Sequence, residues 1–353
     1  VILIIYFAVL IGIGLYCRKH ATDVNGFVLG GRSVGPWLTA FAYGTSYFSA
    51  VVFVGYAGQF GWKYGIAATW AGIGNAIIGS LLAWVVLGRR TRIMSQHLDS
   101  ATMPQYFGKR FGSNPLKIGA SVIIFIFLIP YTASLYNGLS RLFGMAFNID
   151  YSVCIIIMAT LTAIYVIAGG YMATAINDFI QGIIMLFGII AVIAAVIHSK
   201  GGFMSALQGL ANVSDPAVSN TPGIFASFFG PDPFNLLCVV ILTSLGTWGL
   251  PQMVQKFYAI DNEASIQKGT VISTIFALIV SGGCYFLGGF GRLFSDQIDV
   301  KANGFDSIIP TMLSNLSPAL IALVVILVLS ASMSTLSSCL LYTSPSPRDT
   351  ERS

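Results

Sequence analysis

The sequence predicts an all-α, polytopic membrane protein, and three observations carry the prediction. Hydrophobic residues make up 56% of the chain and charged residues 9%, with a mean hydropathy of +0.81; soluble domains carry about 25% charged residues. Several apolar stretches reach the roughly 18–20 residues that cross a bilayer core, where a helix satisfies its own backbone. Lysine and arginine are also dense in every second loop and sparse in the others, as expected of loops on opposite sides of a membrane.

Nine spans follow in order, at 1–17, 35–60, 66–88, 116–144, 152–169, 176–198, 234–256, 269–291 and 317–338. The first, VILIIYFAVLIGIGLYC, has neither an initiator Met nor the basic n-region of a signal peptide, so the chain is expected to begin inside a helix. Gly30-Gly31 precedes the second span, Gly169-Gly170 separates the fifth from the sixth, and Pro231-Asp-Pro233 opens the seventh. The basic residues test the count. One set of alternate loops holds Arg18, Lys19, Arg32, Arg89, Arg90, Arg92, Lys109, Arg110, Lys117, Lys256 and Lys268, eleven in all. The other holds five, Lys63, Arg141, Lys200, Arg292 and Lys301, while Arg348 and Arg352 fall in the tail. This excess puts the first set in the cytoplasm and the start of the chain outside.

Composition also narrows the chemistry. The five cysteines, Cys17, Cys154, Cys238, Cys284 and Cys339, form no CxxC pair, and the three histidines lie near segment ends. No metal or nucleophile–base constellation emerges, so the chain does not read as an enzyme, and an intramembrane enzyme would need such a cluster at depth. The formal charge of +5 bears on membrane sidedness and does not indicate nucleic acid.

Twelve of the thirteen acids lie in loops or the tail; Asp178, in GGYMATAINDFIQGIIMLF, does not. It has two readings, an N-cap completing the start of a helix or a carboxylate beside an ion path, where intramembrane acids concentrate. Two spans carry polar interruptions. In the span 35–60 the centre is Tyr43-Gly-Thr-Ser-Tyr-Phe-Ser-Ala50, and the span 317–338 ends in Ser330-Ala-Ser-Met-Ser-Thr-Leu-Ser-Ser338, six hydroxyl residues in nine. Such hydroxyls can bond back to their own helix or glue helices together. Alternatively, a helix unwound at the first patch frees carbonyls to which the second adds hydroxyls, a set of oxygen ligands for a hard cation such as sodium.

The ordered pieces LGGRSVGPW (29–37), GTSYFSAVVFVGYAGQFGWKYG (44–65), TMPQYFGKRF (102–111), IPYTAS (129–134), GGYMATAINDFIQ (169–181), WGLPQMVQKFYA (248–259) and ASMSTLSS (331–338) resemble the sodium/solute symporter family. The likeness is nearest to its sodium/proline and sodium/pantothenate members. It implies an inverted-repeat, five-plus-five symporter fold with 1–17 as an extra N-terminal helix, 35–198 as the first repeat and 234–338 as three helices of an incomplete second. It implies sodium as the coupling ion, held by Thr45, Phe48, Ala331, Ser334 and Thr335, with Asp178 on the inner sodium path. By position, Val51, Val52, Gly55, Tyr131, Thr243, Thr247 and Trp248 face the solute. The expected function is sodium-coupled import of a small organic solute, an amino acid such as proline or a carboxylate such as pantothenate. The partners are that solute and membrane lipid, and the setting is a multi-pass protein of the cell membrane, of the bacterial inner membrane type.

Three departures weigh against proline: Tyr47 stands where sodium/proline members carry an acid, and Val51 and Thr243 where they carry tryptophans. A second function class is the transporter-like input domain of a membrane sensor kinase. Finally, CLLYTSPSPRD (339–349) resembles the in-frame translation of a transposase sequencing adapter. Residues 339–353 are therefore expected to be read-through and the chain a fragment, one that would not transport as written.

Overall fold

A chain this apolar can bury its backbone polarity only in a self-satisfied ladder. Among the residues that the computed structural model describes, 2–18, 24–147, 150–300, 304–314 and 316–343, that ladder is helical throughout, apart from two isolated bridges. The helices are α1 (Ile2–Cys17), α2 (Val24–Leu29), α3 (Pro36–Tyr47), α4 (Ala57–Tyr64), α5 (Thr69–Gly74), α6 (Arg89–His97), α7 (Met103–Phe111) and α8 (Asn114–Phe147). They continue with α9 (Tyr151–Ser199), α10 (Phe203–Ala211), α11 (Pro233–Leu245), α12 (Pro251–Ala259), α13 (Glu263–Gly289), α14 (Ile308–Ser314) and α15 (Pro318–Thr343). The tail from 344 onward, with Arg348 and Arg352, and the loop residues Lys19 and Lys301 lie outside the described residues.

Two predicted spans are broken helices. The second divides where α3 stops at Tyr47: Phe48 is extended (φ −100°, ψ 115°), and the chain restarts in the π-helical turn Val51–Tyr56 that leads into α4. The seventh bends by 55° between α11 and α12 through the 3₁₀ turn Gly246–Gly249. The predicted fifth and sixth spans are two halves of α9, 49 residues long. Straight, it would extend about 74 Å, more than twice a ~30 Å bilayer core. It divides at Gly170, whose φ of 56° and ψ of −148° lie in a region nearly closed to other residues. The backbone is helical again from Tyr171, so Asp178 lies well inside a helix. The N-cap reading is thereby corrected.

By length and apolarity, five helical stretches among the described residues can cross a membrane, or six if the bent pair counts as one. The predicted nine came out fewer for clear reasons. Spans two and three share one stretch, Val51–His97, and the described apolar parts of the first and fifth spans, Ile5–Cys17 and Ile155–Ile164, are short. The last helix runs past the predicted 338 to Thr343.

Packing gathers these helices around α3. The helix α13 lies against α3, α4 and α5, while α9 lies against α1, α3 and α15. The approach is closest where Gly61 meets Gly288: a Cβ on Gly61 would fall 1.9 Å from the Gly288 carbonyl oxygen. Small residues permit such contact in membranes, where van der Waals packing holds helices together.

Side chains from alternate loops meet at separate places. Arg32 donates to Ser95, Ser100 and Tyr258, Arg92 to the carbonyls of Ile260 and Asp261, and Arg89 pairs with Glu263. Elsewhere Arg292 donates to Trp62 O (2.6 Å) and Asp215 (3.0 Å), and Lys200 to Leu293 O (2.9 Å). Each group is drawn from one of the two predicted loop sets. The exception is Lys256, assigned to a loop from the sequence but fully buried on α12.

Candidate ion and solute site

The break after Tyr47 leaves the last carbonyls of α3 beyond the reach of the helical ladder. The Thr45 carbonyl is met instead by α15: Ser334 Oγ lies 3.1 Å from Thr45 O and 3.2 Å from Ala331 O, and Thr335 Oγ1 lies 3.5 and 3.1 Å from the same two oxygens. All four residues are completely buried. Four of the five predicted ion ligands are thus brought together. The fifth, Phe48, supplies the extended residue at the break, and its carbonyl is not among the oxygens in hydrogen-bond contact with these hydroxyls.

The helix α15 is continuous through its hydroxyl-rich run, so that interruption is one of composition and not of backbone. Ser334, Thr335 and Ser337 each reach a carbonyl one turn back, as buried hydroxyls in membrane helices do. Ser334 and Thr335 face Thr45 O as well. A hydroxyl has one proton and two lone pairs, so each can turn a lone pair toward a cation and leave its proton elsewhere. Oxygens held at about 2.4 Å from a hard cation and at right angles are about 3.4 Å apart. The spacings seen here are of that size.

Asp178 stands apart from this cluster. It is fully buried, neither carboxylate oxygen accepts a hydrogen bond from the described residues, and Lys256 Nζ lies 3.8 Å from Oδ2. Lys256 Nζ donates to Ser338 Oγ (3.0 Å), and Ser338 Oγ meets Ser46 Oγ (2.9 Å). Sequence reading missed Lys256 and this use of Ser46 and Ser338. The available signal was a single lysine inside the apolar segment WGLPQMVQKFYA.

The predicted solute residues fall into separate groups. Val51 and Tyr131 pack together with Leu128, Leu135, Leu336 and Cys339, while Val52 packs on the main core. Gly55 faces the 305–307 turn, since a Cβ there would lie 3.3 Å from Asp306 Oδ1. On the other broken helix, Thr243 Oγ1 meets Asn75 Oδ1 (3.1 Å), Thr247 Oγ1 donates to Ser244 O (2.9 Å) and Trp248 Nε1 donates to Ile78 O (2.9 Å). Tyr47, noted in the sequence only as a departure, joins the two broken helices: its hydroxyl donates to Thr243 O at 3.0 Å. One turn beyond Trp248, Gln252 is fully buried.

Two broken helices facing each other across a membrane bundle, one with carbonyls turned toward a hydroxyl-rich neighbour, define the architecture of an inverted-repeat secondary transporter. The profile of the sodium:solute symporter family matches residues 27–346, and the chain belongs to that family. Sodium/proline symporters of Staphylococcus aureus, those of strains JH9 and NCTC 8325 among them, are 30% identical over 357 aligned positions. The alignment covers 98% of this chain and 66% of those proteins, so the chain spans about two thirds of their length. A solved structure of a Na+-coupled sialic acid symporter, substrate-bound and outward-open, superposes with a TM-score of 0.76 at 15% identity, covering 95% of this chain and 69% of that one. That likeness shows the all-α symporter fold of a multi-pass membrane protein. The relatives cited are named as symporters, which are transporters and not enzymes or sensors.

Proposed function

We propose that this protein is a sodium-coupled symporter of a small organic solute, with the coupling ion held by Thr45, Phe48, Ala331, Ser334 and Thr335. The observation that carries this reading is the Thr45 carbonyl, released at the helix break and met by Ser334 and Thr335. Sodium there bridges α3 to α15, ordering the broken helix beside which the solute binds. Sodium therefore raises solute affinity, and by linkage solute raises sodium affinity equally. Asp178 serves the path by which sodium leaves, on the side of the basic loops, which face the cytoplasm. Residues 35–198 form the first repeat and 234–338 helices of the second. Val51, Val52, Gly55, Tyr131, Thr243, Thr247 and Trp248 line the solute region, which suits an amino acid such as proline or a carboxylate such as pantothenate.

Equilibrium binding of 22Na+ and of labelled proline and pantothenate to the purified protein tests this reading. Sodium is expected to tighten the binding of one of these solutes. Ser334→Ala and Thr335→Ala are each expected to raise half-saturating sodium about tenfold, the loss of one oxygen ligand worth about 1.4 kcal/mol. Solute binding indifferent to sodium overturns the symport reading, and unchanged sodium affinity in both variants overturns the ligand assignment.

A further inference from the structure

Where α7 turns into α8, three cations gather at the start of a membrane-spanning helix. The left-handed Gly112 (φ 60°) ends α7 just after Lys109, Arg110 and Phe111, and α8 starts at Asn114. Gly108 brings the third cation close: a Cβ there would lie 2.9 Å from Lys117 Cβ, so the Lys117 stem lies across the end of α7. Lys109 and Arg110 are exposed and Lys117 is half-buried. Lys109 Nζ donates to the Asp99 carbonyl at 2.6 Å, which leaves it further protons to give. Among the described residues none of the three cations forms an ion pair, and the chain holds no acid from residue 100 to 149. The surroundings are apolar instead. Phe111 is 66% exposed beside the cations, and Ile118, Val122, Phe125 and Ile129 form a stripe at helical spacing, each at least half exposed. That stripe runs into a groove of about 350 Å³ between Phe125 and Tyr136.

From this juxtaposition we propose that the α7–α8 corner binds an anionic phospholipid, with its phosphate among Lys109, Arg110 and Lys117 and an acyl chain along the stripe from Ile118 to Ile129. The site lies on a different surface from the ion and solute site and does not depend on the symport reading. Charge complementarity selects the headgroup. A phosphate accepts from the guanidinium fork of Arg110 in pairs, and from the two ammonium groups as point charges. The stripe selects a lipid over a soluble anion. Asn114–Tyr136 is long and apolar enough to cross a membrane, and only 11% of its apolar window is buried. Basic clusters at the membrane boundary attract anionic lipid, each cation strengthening the attraction about fivefold. The exposed Phe111 adds an aromatic ring at the level where headgroup meets hydrocarbon. A lipid held there ties the end of α7 to the start of α8.

The test is lipid binding to the purified protein in mild detergent, followed by native mass spectrometry and by the rise in unfolding temperature. Dioleoylphosphatidylglycerol is the anionic probe, dioleoylphosphatidylcholine the zwitterionic one and inorganic phosphate the soluble anion. Phosphatidylglycerol is expected to bind about tenfold or more tighter than phosphatidylcholine, and millimolar phosphate to leave it in place. Lys109→Gln/Arg110→Gln/Lys117→Gln should weaken phosphatidylglycerol about a hundredfold. Arg18→Gln/Arg90→Gln/Lys268→Gln removes as many exposed charges elsewhere and should weaken it no more than about threefold. Ile118→Ser/Val122→Ser should weaken it about tenfold through the acyl chain. Equal affinity for the two lipids, or equal losses in the two charge variants, overturns the site. Displacement of the lipid by phosphate, or unchanged affinity in the stripe variant, overturns the lipid as its occupant. If the triple variant at the corner does not fold, Arg110→Gln decides the matter: it should weaken phosphatidylglycerol about fivefold, and unchanged affinity overturns the proposal.

Discussion

Tyr47 illustrates how single side chains hold the two broken helices in register. It sits at the last helical position of α3, and its hydroxyl donates to Thr243 O of α11 at 3.0 Å, while its ring packs against Gly79. Tyr43, one turn earlier, donates likewise to Gly79 O at 3.0 Å. Buried hydroxyls of this kind contribute about 1 kcal/mol each once desolvation is offset. Tyr47→Phe keeps the ring and removes the bond, and is expected to lower stability by about 1 kcal/mol. Thermal unfolding of the purified variant checks this; a melting curve identical to wild type would show that the bond between the broken helices contributes nothing. An acid at this position would face a carbonyl oxygen where Tyr47 presents a donor, so the departure from the sodium/proline pattern has a local structural consequence.

At the scale of the element, helix ends decide where the chain turns. The helix α11 begins at Pro233, with Asp232 as its cap: Oδ1 accepts from Asn235 N at 3.1 Å, and Oδ2 accepts from the Asn235 side chain. Those two bonds, the side-chain one the larger, hold the Asp232 carboxyl below its ordinary value. A carboxyl lowered in the folded state stabilises the fold above its unfolded value near 4, and the contribution is lost as pH falls through the lowered folded value. Asp232→Asn retains a good capping side chain and cannot titrate. Its unfolding temperature is therefore expected to fall less steeply than that of wild type between about pH 5 and pH 3, the range in which a carboxylate cap is lost. Parallel acid limbs for the two proteins would refute the assignment.

At the scale of the whole molecule, close contacts between helix backbones set how the bundle assembles. Gly61 and Gly288 let α4 and α13 touch, with a Cβ on Gly288 falling 2.0 Å from Ala57 O. Backbone cannot swing aside as a side-chain tip can, so Gly61→Ala must push the helices apart, at a cost of roughly 1–3 kcal/mol or more. The expected outcome is a lower melting temperature and a broadened size-exclusion peak; a wild-type melting curve would mean that the helices separate freely. The Arg292 clasp works differently. It holds Trp62 O and Asp215 while stacking at 3.8 Å on the Phe225 ring, and so joins three separate stretches of chain.

The sequence by itself determined the class of molecule, the membrane setting and most of the residues that meet at the break in α3. Apolar length, loop charge and hydroxyl-rich runs are local properties, written in consecutive residues. Thr45, Ala331, Ser334 and Thr335 could be named because each lies in a composition abnormal for its surroundings. The backbone outcome was less legible. One polar run breaks its helix and the other does not: α3 stops at an extended Phe48, while α15 runs on through its hydroxyls, which also reach carbonyls one turn back on their own helix. Asp178 could be read as a cap or as an intramembrane acid from the sequence, and the kink at Gly170 starts the helix well before it. Only the tertiary structure decided the place of Lys256. Whether a lysine near a span end faces solvent or a buried carboxylate depends on which helices pack beside it, and α9 and α15 are distant from it in sequence.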